Sequence, residues 1–275
     1  MCIGLDFTSV LDGPDLYTLI RGLPPALIAA DIQKEALHSL PASERARPGD
    51  WLAIWGGSST SANLTLQLAR LAGLRTIAVA DKAKHGLWLS SHETVRPDLL
   101  VDSHDPARAV AVIRANVKGS GTGKLRFAAD TRGRESAGWL LEALVGGDEK
   151  GKGKAPEDSE PEDSPPAAAM SREPGDDSAA EPPARLSAHL IGLTGLPKQS
   201  APDGVVYHTV PIKLFHEVPA VGQALVEWLE RLLQEGLVTP PNIIDVQRGL
   251  GSVNQGLDRM RRGEISGGKL VVRID

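Results

Sequence analysis

The sequence predicts an α/β fold, a doubly wound parallel sheet with helices on both faces. Three observations predict it. Short runs of apolar residues alternate along the chain with segments in which apolar residues recur at helical spacing. The connections between them are short, as in strand-helix-strand units. The apolar runs are also continuous rather than alternating, which is typical of strands buried on both faces of a parallel sheet.

Five strands are predicted in the first three quarters of the chain, at 51–55, 76–80, 98–101, 125–129 and 188–193. Helical stripes lie between them, at 64–72, 109–117 and 140–145. Gly73 stands where the first helix would stop, and Asp105-Pro106 has the form of an N-cap followed by proline at the first helical position. These signals give the order strand, helix, strand that a parallel sheet requires.

An acidic, proline-rich segment interrupts this pattern. Residues 147–183 contain eleven acidic residues, four basic residues and seven prolines, and no Leu, Ile, Val or aromatic residue. Such a segment cannot bury enough apolar surface to offset the entropy of ordering it, so we predict a disordered insertion over 147–184. Because it joins a helix to the following strand, its ends are expected at the edge of the sheet away from a ligand site. A tolerated surface loop is favoured over a signal for a partner.

The insertion sets the domain organisation. Residues 1–48 are predicted to be lead-in helices or the remnant of an N-terminal domain. Residues 49–146 form the first part of the sheet domain, and 185–204 supply its last strand. The character of the chain changes over 205–275.

This last segment carries a long amphipathic stripe between 221 and 233, a second predicted helix at 249–262 and a predicted terminal strand at 269–273. The full prediction is therefore a doubly wound parallel sheet with a disordered acidic insertion and a C-terminal helix-helix-strand extension.

Composition excludes several classes of protein. The net charge is −5, to which residues 147–183 contribute −7, so the remainder carries +2. A nearly neutral remainder with 4% scattered aromatic residues disfavours a nucleic-acid partner. The single cysteine, Cys2, excludes an intramolecular disulfide framework and a zinc site made of several cysteines. The sequence contains no run of about 18 apolar residues, so no membrane-spanning helix is predicted. It shows no recognisable secretory signal, and we therefore expect a cytoplasmic protein without a membrane partner.

The connection between the first strand and the first helix has the composition of a phosphate-binding loop. Its residues are small or hydroxylic: Gly56, Gly57, Ser58, Ser59, Thr60, Ser61 and Ala62. Small residues let the backbone approach a pyrophosphate closely, and the following helix offers free N–H groups and its positive dipole end. Gly56 is interpreted as the tight-turn glycine, while Ser59 and Ala62 stand where the later glycines of a Rossmann dinucleotide motif would be. A plain strand-to-helix turn is the alternative.

The end of the second strand carries charges of both signs. An acid at this place accepts hydrogen bonds from the adenosine ribose hydroxyls of NAD, whereas basic residues receive the 2′-phosphate of NADP. Asp81 favours NAD, and Lys82 and Lys84 favour NADP. The lysines could also be no more than a solvated turn. We expect NADP as the cofactor rather than NAD.

Six segments carry a resemblance to a known family: PGDWLAIWGGSS at 48–59, LQLARLAGLRTIA at 66–78, PDLLVDSHD at 97–105, FAAD at 127–130, GLGSVNQGL at 249–257 and GEISGGKLV at 263–271. In this order they resemble the cofactor domain and the closing helix and strand of zinc-independent medium-chain dehydrogenase/reductases. The resemblance is strongest to the fungal quinone-reductase-like and trans-acting enoyl-reductase-like branch.

The resemblance implies a nicotinamide cofactor, no zinc, and hydride transfer to a carbonyl, quinone or enoyl small-molecule substrate. It adds Asp130 and Thr194, which follow the fourth and fifth strands, to the expected cofactor contacts. It selects no catalytic residue in this chain. The histidines show no metal-ligand spacing, and nothing in the sequence selects Tyr17 or Tyr207 as a proton donor.

One departure from the family bears on activity. Family members open with a GroES-like β-barrel that forms one wall of the active-site cleft, whereas 49 residues precede Asp50 here. The chain therefore resembles a member lacking most of that domain. We expect a homodimer, or a partner that supplies the domain on which the C-terminal segment packs in the family.

Three functions follow in order of preference. The first is an NAD(P)-dependent oxidoreductase of the zinc-independent medium-chain type. The second is a dinucleotide-binding module without catalytic activity of its own. The third is a methyltransferase that uses Asp81 on the ribose of S-adenosylmethionine, which the C-terminal pattern disfavours.

Overall fold

A computed structural model describes residues 46–121, 123–146, 187–209, 212–217 and 219–274. The predicted lead-in segment before residue 46, with Cys2 and Tyr17, lies outside the described residues. So does the predicted acidic insertion.

The core of the structure is a six-stranded parallel sheet, and the predicted doubly wound architecture is confirmed. The strand order is β3-β2-β1-β4-β5-β6. The strands are β1 (Trp51–Trp55), β2 (Arg75–Ala80), β3 (Leu99–Asp102), β4 (Leu125–Asp130), β5 (Ala188–Gly192) and β6 (Val205–Thr209). The order reverses at β1, which pairs with β2 on one side and with β4 on the other.

Four helices cover the sheet: α1 (Thr60–Leu71), α2 (Lys82–Ser91), α3 (Pro106–Gly119) and α4 (Arg134–Val145). Two separate apolar cores result, because alternate residues of each strand point to opposite faces. Leu52 and Ile54 pack with residues of α1 and α2 on one face. Trp51, Ala53 and Trp55 pack with residues of α3 and α4 on the other. Both faces are covered, which accounts for the continuous apolar runs in the sequence.

The sheet extends one strand further than the sequence analysis predicted. We ended it with the strand at 188–193, but β6 pairs with β5 in parallel, from Ala188 opposite Val205 to Gly192 opposite Thr209. The run Val205 to Thr209 is rich in β-branched residues and follows a Pro-Asp-Gly turn. The mixture of apolar and polar residues in β6 is typical of an edge strand, and it does not stand out in the sequence as a continuous apolar run does.

The C-terminal part also contains more strands than the predicted helix-helix-strand extension. It comprises α5 (Ile212–Glu217), α6 (Pro219–Gln234), β7 (Ile243–Arg248), α7 (Ser252–Arg261) and β8 (Lys269–Arg273). β7 and β8 pair in parallel as a separate two-stranded sheet. The predicted terminal strand is therefore present, but β7 was missed.

The C-terminal part is anchored on the first helix. Gln67, which is buried in α1, accepts hydrogen bonds from the amide and the hydroxyl of Thr239 at 2.8 and 3.1 Å and donates to its carbonyl at 3.1 Å. Leu68 packs with Leu232 and Val238 beside this polar contact. Near the end of the chain, Ser266 Oγ lies 3.0 Å from Nε2 of His85 in α2. The segment after the main sheet thus rests on α1 and α2.

A buried ion pair joins three strands at their amino ends. Asp50 and Arg126 are 4% and 2% exposed, and a carboxylate oxygen of Asp50 accepts a hydrogen bond from an Arg126 Nη at 3.1 Å. Asp50 also accepts from the amides of Arg47 and Lys124. Arg126 Nε donates to the carbonyl of Ser187, just before β5, at 3.1 Å. One guanidinium therefore ties β1, β4 and the start of β5 together.

We predict that breaking this pair strongly destabilises the fold. Asp50→Asn and Arg126→Met should each lower the free energy of unfolding in urea by about 3–5 kcal/mol, because each leaves a buried charge without its partner. The double variant should lose less than the sum of the two losses, since the pair is coupled. Asp258→Asn, which removes an exposed pair with Arg261, serves as the control and should change stability by about 0.5 kcal/mol or less. Strict additivity of the two buried substitutions would contradict the proposed coupling.

Candidate dinucleotide-binding site

The candidate site lies where the strand order reverses. The loop after β1 leaves the carboxyl edge of the sheet between β2 and β4, which is the position at which doubly wound sheets bind ligands. The structure thus places the seven predicted loop residues at this edge. It also brings the ends of β2, β3, β4 and β5 to the same side of the molecule.

The loop is held against β2 by its two glycines. The amides of Gly56 and Gly57 both donate to the carbonyl of Val79, at 3.0 and 2.9 Å. Gly56 has a φ of +85°, which favours glycine. A Cβ built at Gly56 would lie 2.1 Å from Oγ1 of Thr131, and one built at Gly57 would lie 2.7 Å from Cβ of Ala78. Gly56 therefore has the backbone conformation that the interpretation as a tight-turn glycine requires, and Gly57 is needed for close approach to β2.

Ser59 caps the first helix and links it to β4. Its hydroxyl accepts from the amide of Ala62 at 3.1 Å and lies 3.2 Å from Oγ1 of Thr131. Thr131 in turn donates to the carbonyl of Trp55 at 3.0 Å. This network fixes the amino end of α1 between β1 and β4, and Ala62 is fully buried behind it.

Three backbone amides remain available in the loop. Within the described residues, the N–H groups of Ser58, Thr60 and Ser61 have no hydrogen-bond partner. They surround the positive end of the α1 dipole, and their residues are partly exposed. Free donors at a helix amino end form an anion site, so the loop can hold a pyrophosphate.

The ends of β2 and β3 carry a second polar cluster. Asp81 is the N-cap of α2 and accepts from the amide of Lys84 at 3.1 Å, while Nζ of Lys84 lies 3.4 Å from its other oxygen. Asp102, at the end of β3, accepts from the amide of Lys82 at 3.3 Å. Lys82 and Lys84 thus belong to the first turn of α2 rather than to a loop.

His104 lies between the two carboxylates of this cluster. Its Nδ1 is 2.9 Å from Oδ1 of Asp102 and its Nε2 is 3.7 Å from Oδ2 of Asp81. The hydrogen bond to Asp102 and the two negative charges raise the pKa of His104. The amide of Lys84 lowers the pKa of Asp81, and His104 lowers that of Asp102. The cluster therefore combines an available carboxylate with cations, as a phosphorylated ribose would require.

Asp130 lies at the expected place but is fully buried. Its Oδ1 accepts from the amides of Arg132 and Gly133 at 3.0 and 2.6 Å, and no hydrogen-bond partner of Oδ2 is found in the described residues. Burial raises the pKa of Asp130. In this structure the side chain shapes the turn from β4 to α4 and does not face solvent.

Thr194 is a predicted cofactor contact, whereas the sequence assigns no role to Tyr207. Thr194 follows β5 at the same edge as the phosphate loop and is exposed. Tyr207, in contrast, lies in the middle of β6 and packs in the core under α3 and α4, where burial raises the pKa of its hydroxyl. Tyr207 is thus remote from the loop.

The sequence analysis missed Arg132 and His104. The side chain of Arg132 passes over Gly56, with Cγ and Cδ 3.0 and 3.3 Å from a Cβ built there. Arg132 is exposed and follows the buried Asp130. A cation after β4 and a histidine after β3 are the signals that could have identified them, but only the packing of strand ends brings them to the site.

The described residues contain neither a metal-binding cluster nor a membrane-spanning helix. No group of three His, Cys, Asp or Glu side chains in that part of the chain is arranged to hold a metal ion. None of its helices combines the length and apolar character needed to cross a membrane.

Comparison with known proteins gives structural matches. Neither a family model nor a curated protein sequence matches the chain. The enoyl reductase CurK matches with a TM-score of 0.57 and 13% identity, over 95% of this chain and 60% of the other. A Bacillus thuringiensis protein provisionally designated an NADPH:quinone reductase matches with 0.54 and 16%, over 82% and 56%. A quinone oxidoreductase of Pseudomonas syringae pv. Tomato DC3000 matches with 0.53 and 12%, over 85% and 59%.

These matches include quinone oxidoreductases and enoyl reductases of the medium-chain dehydrogenase/reductase superfamily, the superfamily that the sequence resembles. The chain spans 56–60% of the length of the three. Because the identities are 12–16%, the likeness concerns the fold. At that level the resemblance is confirmed: the chain has the fold of part of these reductases.

Proposed function

We propose that the chain binds a nicotinamide dinucleotide, NADP in preference to NAD, as part of an oxidoreductase of the zinc-independent medium-chain type. The observation that carries the proposal is the loop after β1. Two glycines bring it against β2, and the amides of Ser58, Thr60 and Ser61 are left available at the amino end of α1. A pyrophosphate would accept from these donors without displacing a hydrogen bond of the described residues.

The adenosine half of the cofactor would extend from the loop toward β2 and β3. There Asp81 would accept hydrogen bonds from the ribose, and Lys84 would supply positive charge for a 2′-phosphate. The preference for NADP rests on this lysine and on His104, because together they offset the charge of Asp81.

The nicotinamide half would lie toward β4 and β5. Thr194 is exposed there, and Arg132 adds a cation beside Gly56. When bound, the nicotinamide would supply the hydride for a carbonyl, quinone or enoyl substrate. The residues of this chain would fix its position and offset the charge of the pyrophosphate.

A dinucleotide-binding module without turnover is the second candidate. The chain spans less than two thirds of the length of the reductases that it matches, so turnover has to be measured on this chain rather than carried over from them. One measurement distinguishes the two candidate functions. Saturable binding of NADPH followed by its oxidation with a quinone or an enoyl thioester supports the reductase, whereas binding without oxidation supports the module.

We predict that Ser61→Asp separates cofactor binding from stability. Ser61 is the second residue of α1, where an acid stabilises a helix, so thermal unfolding should occur at the same or a slightly higher temperature. The NADPH affinity, measured by nicotinamide fluorescence, should fall about tenfold or more, because the carboxylate would face the pyrophosphate. The control is Ser61→Asn, because asparagine has the shape of aspartate without its charge. It should bind NADPH much more tightly than Ser61→Asp. Equal affinities of the two variants would exclude a pyrophosphate at this loop.

We predict a role for Arg132 in binding both cofactors. Arg132→Gln should weaken the binding of NADPH and of NADH by a similar factor, about three- to tenfold at low salt. The reason is that it removes a charge beside the loop rather than at the ribose. The loss should shrink as salt screens the interaction. Lys118→Gln removes the same charge from the exposed end of α3 and should have no effect. A loss confined to NADPH would place the Arg132 charge at the 2′-phosphate instead.

A further inference from the structure

His104 lies at the candidate ribose site, where its contribution to the proposed NADP preference depends on its protonation state. It is the second residue after β3, and 63% of its side chain is exposed. Its ring reaches across to β2, so it contacts the carboxylates that end both strands. One oxygen of Asp81 is consequently shared between the Nζ of Lys84 and the Nε2 of His104.

The protonation state of His104 sets the charge of this cluster. In the neutral ring, one nitrogen donates to Asp102 and the other presents a lone pair toward Asp81. Protonation turns that lone pair into a second donor, so the surroundings favour the charged form. The charged groups that act on His104 in the described chain are Asp102, Asp81 and Lys84. With Lys82 included, the cluster is neutral when His104 is neutral and carries +1 when it is protonated.

We propose that His104 determines cofactor specificity, because its imidazolium form strengthens binding of a 2′-phosphate on the adenosine ribose. The inference rests on the proposed function of the site. A phosphate placed beside Asp81 needs cations to offset that carboxylate, and protonated His104 adds one to Lys84. The unphosphorylated ribose of NADH uses Asp81 as an acceptor instead, and protonated His104 competes with it for the same oxygen.

The two effects have opposite signs for the two cofactors. Below the pKa of His104, which lies above its ordinary value of 6.5, NADPH binding is strengthened and NADH binding is weakened. Both effects disappear as the pH rises through that pKa. The ratio of the two affinities is therefore a more specific measure of His104 than either affinity alone.

The test measures the dissociation constants of NADPH and NADH from about pH 6 to about pH 8.5 for the full chain and for His104→Gln. In the unmodified protein the preference for NADPH should be about three- to tenfold greater at the acidic end, relative to the variant. The 2′-phosphate of the free cofactor itself titrates with a pKa of about 6, but the free cofactor is the same for both proteins, so its titration cancels in the comparison.

A second variant connects the effect with the structure. Asp102→Asn removes the main cause of the raised His104 pKa, so the midpoint of the preference should move to lower pH. Titration of the His104 ring proton by NMR should move by the same amount. Because His104 and Asp102 are exposed, both variants should unfold at the temperature of the unmodified chain.

The outcomes distinguish this inference from the proposed function. If neither cofactor binds at any pH, the proposed function fails and the inference fails with it. If both bind, but the preference changes with pH identically in the unmodified chain and in His104→Gln, His104 does not read the 2′-phosphate and the inference alone is overturned.

Discussion

A single backbone carbonyl, that of Val79, determines where the candidate site forms. Because it accepts from both Gly56 and Gly57, the loop leaves β1 pressed against β2, and α1 must begin directly beyond it. Because the amides of Gly56 and Gly57 donate to this carbonyl, they are not available to a ligand. The amides that remain without a partner among the described residues are those of Ser58, Thr60 and Ser61, on either side of the Ser59 cap.

The charged residues at the two edges of the sheet differ in their exposure. At the amino edge, Asp50 and Arg126 are removed from water and their charges satisfy each other inside the protein. At the carboxyl edge, His104, Lys84 and Arg132 remain accessible, whereas Asp130 is buried in the turn after β4. The buried ion pair and the candidate site thus lie at opposite ends of the same strands.

The sequence predicted the parts of the fold that depend on local pattern. Continuous apolar strands, the capping of α3 by Asp105 and the small residues of the loop can all be recognised without neighbours. Strands β6 and β7 could not be recognised in this way. Many of their positions are exposed or polar, and such a pattern indicates a strand only once the pairing partner is known. The same holds for the site. The loop residues were predicted, whereas His104 reaches Asp81 only because β3 pairs with β2.

The crossover between α4 and β5 has an electrostatic consequence. Gly146 and Ser187, which flank the acidic insertion, both belong to the amino edge of the sheet, and Ser187 is fixed there by Arg126. The strands between that edge and the phosphate loop are five or six residues long, a span of about 20 Å. The Debye length at physiological ionic strength is about 8 Å. Gly146 and Ser187 are therefore separated from the loop after β1 by more than twice the Debye length, so a charge held at either residue would act only weakly on an anion at the loop.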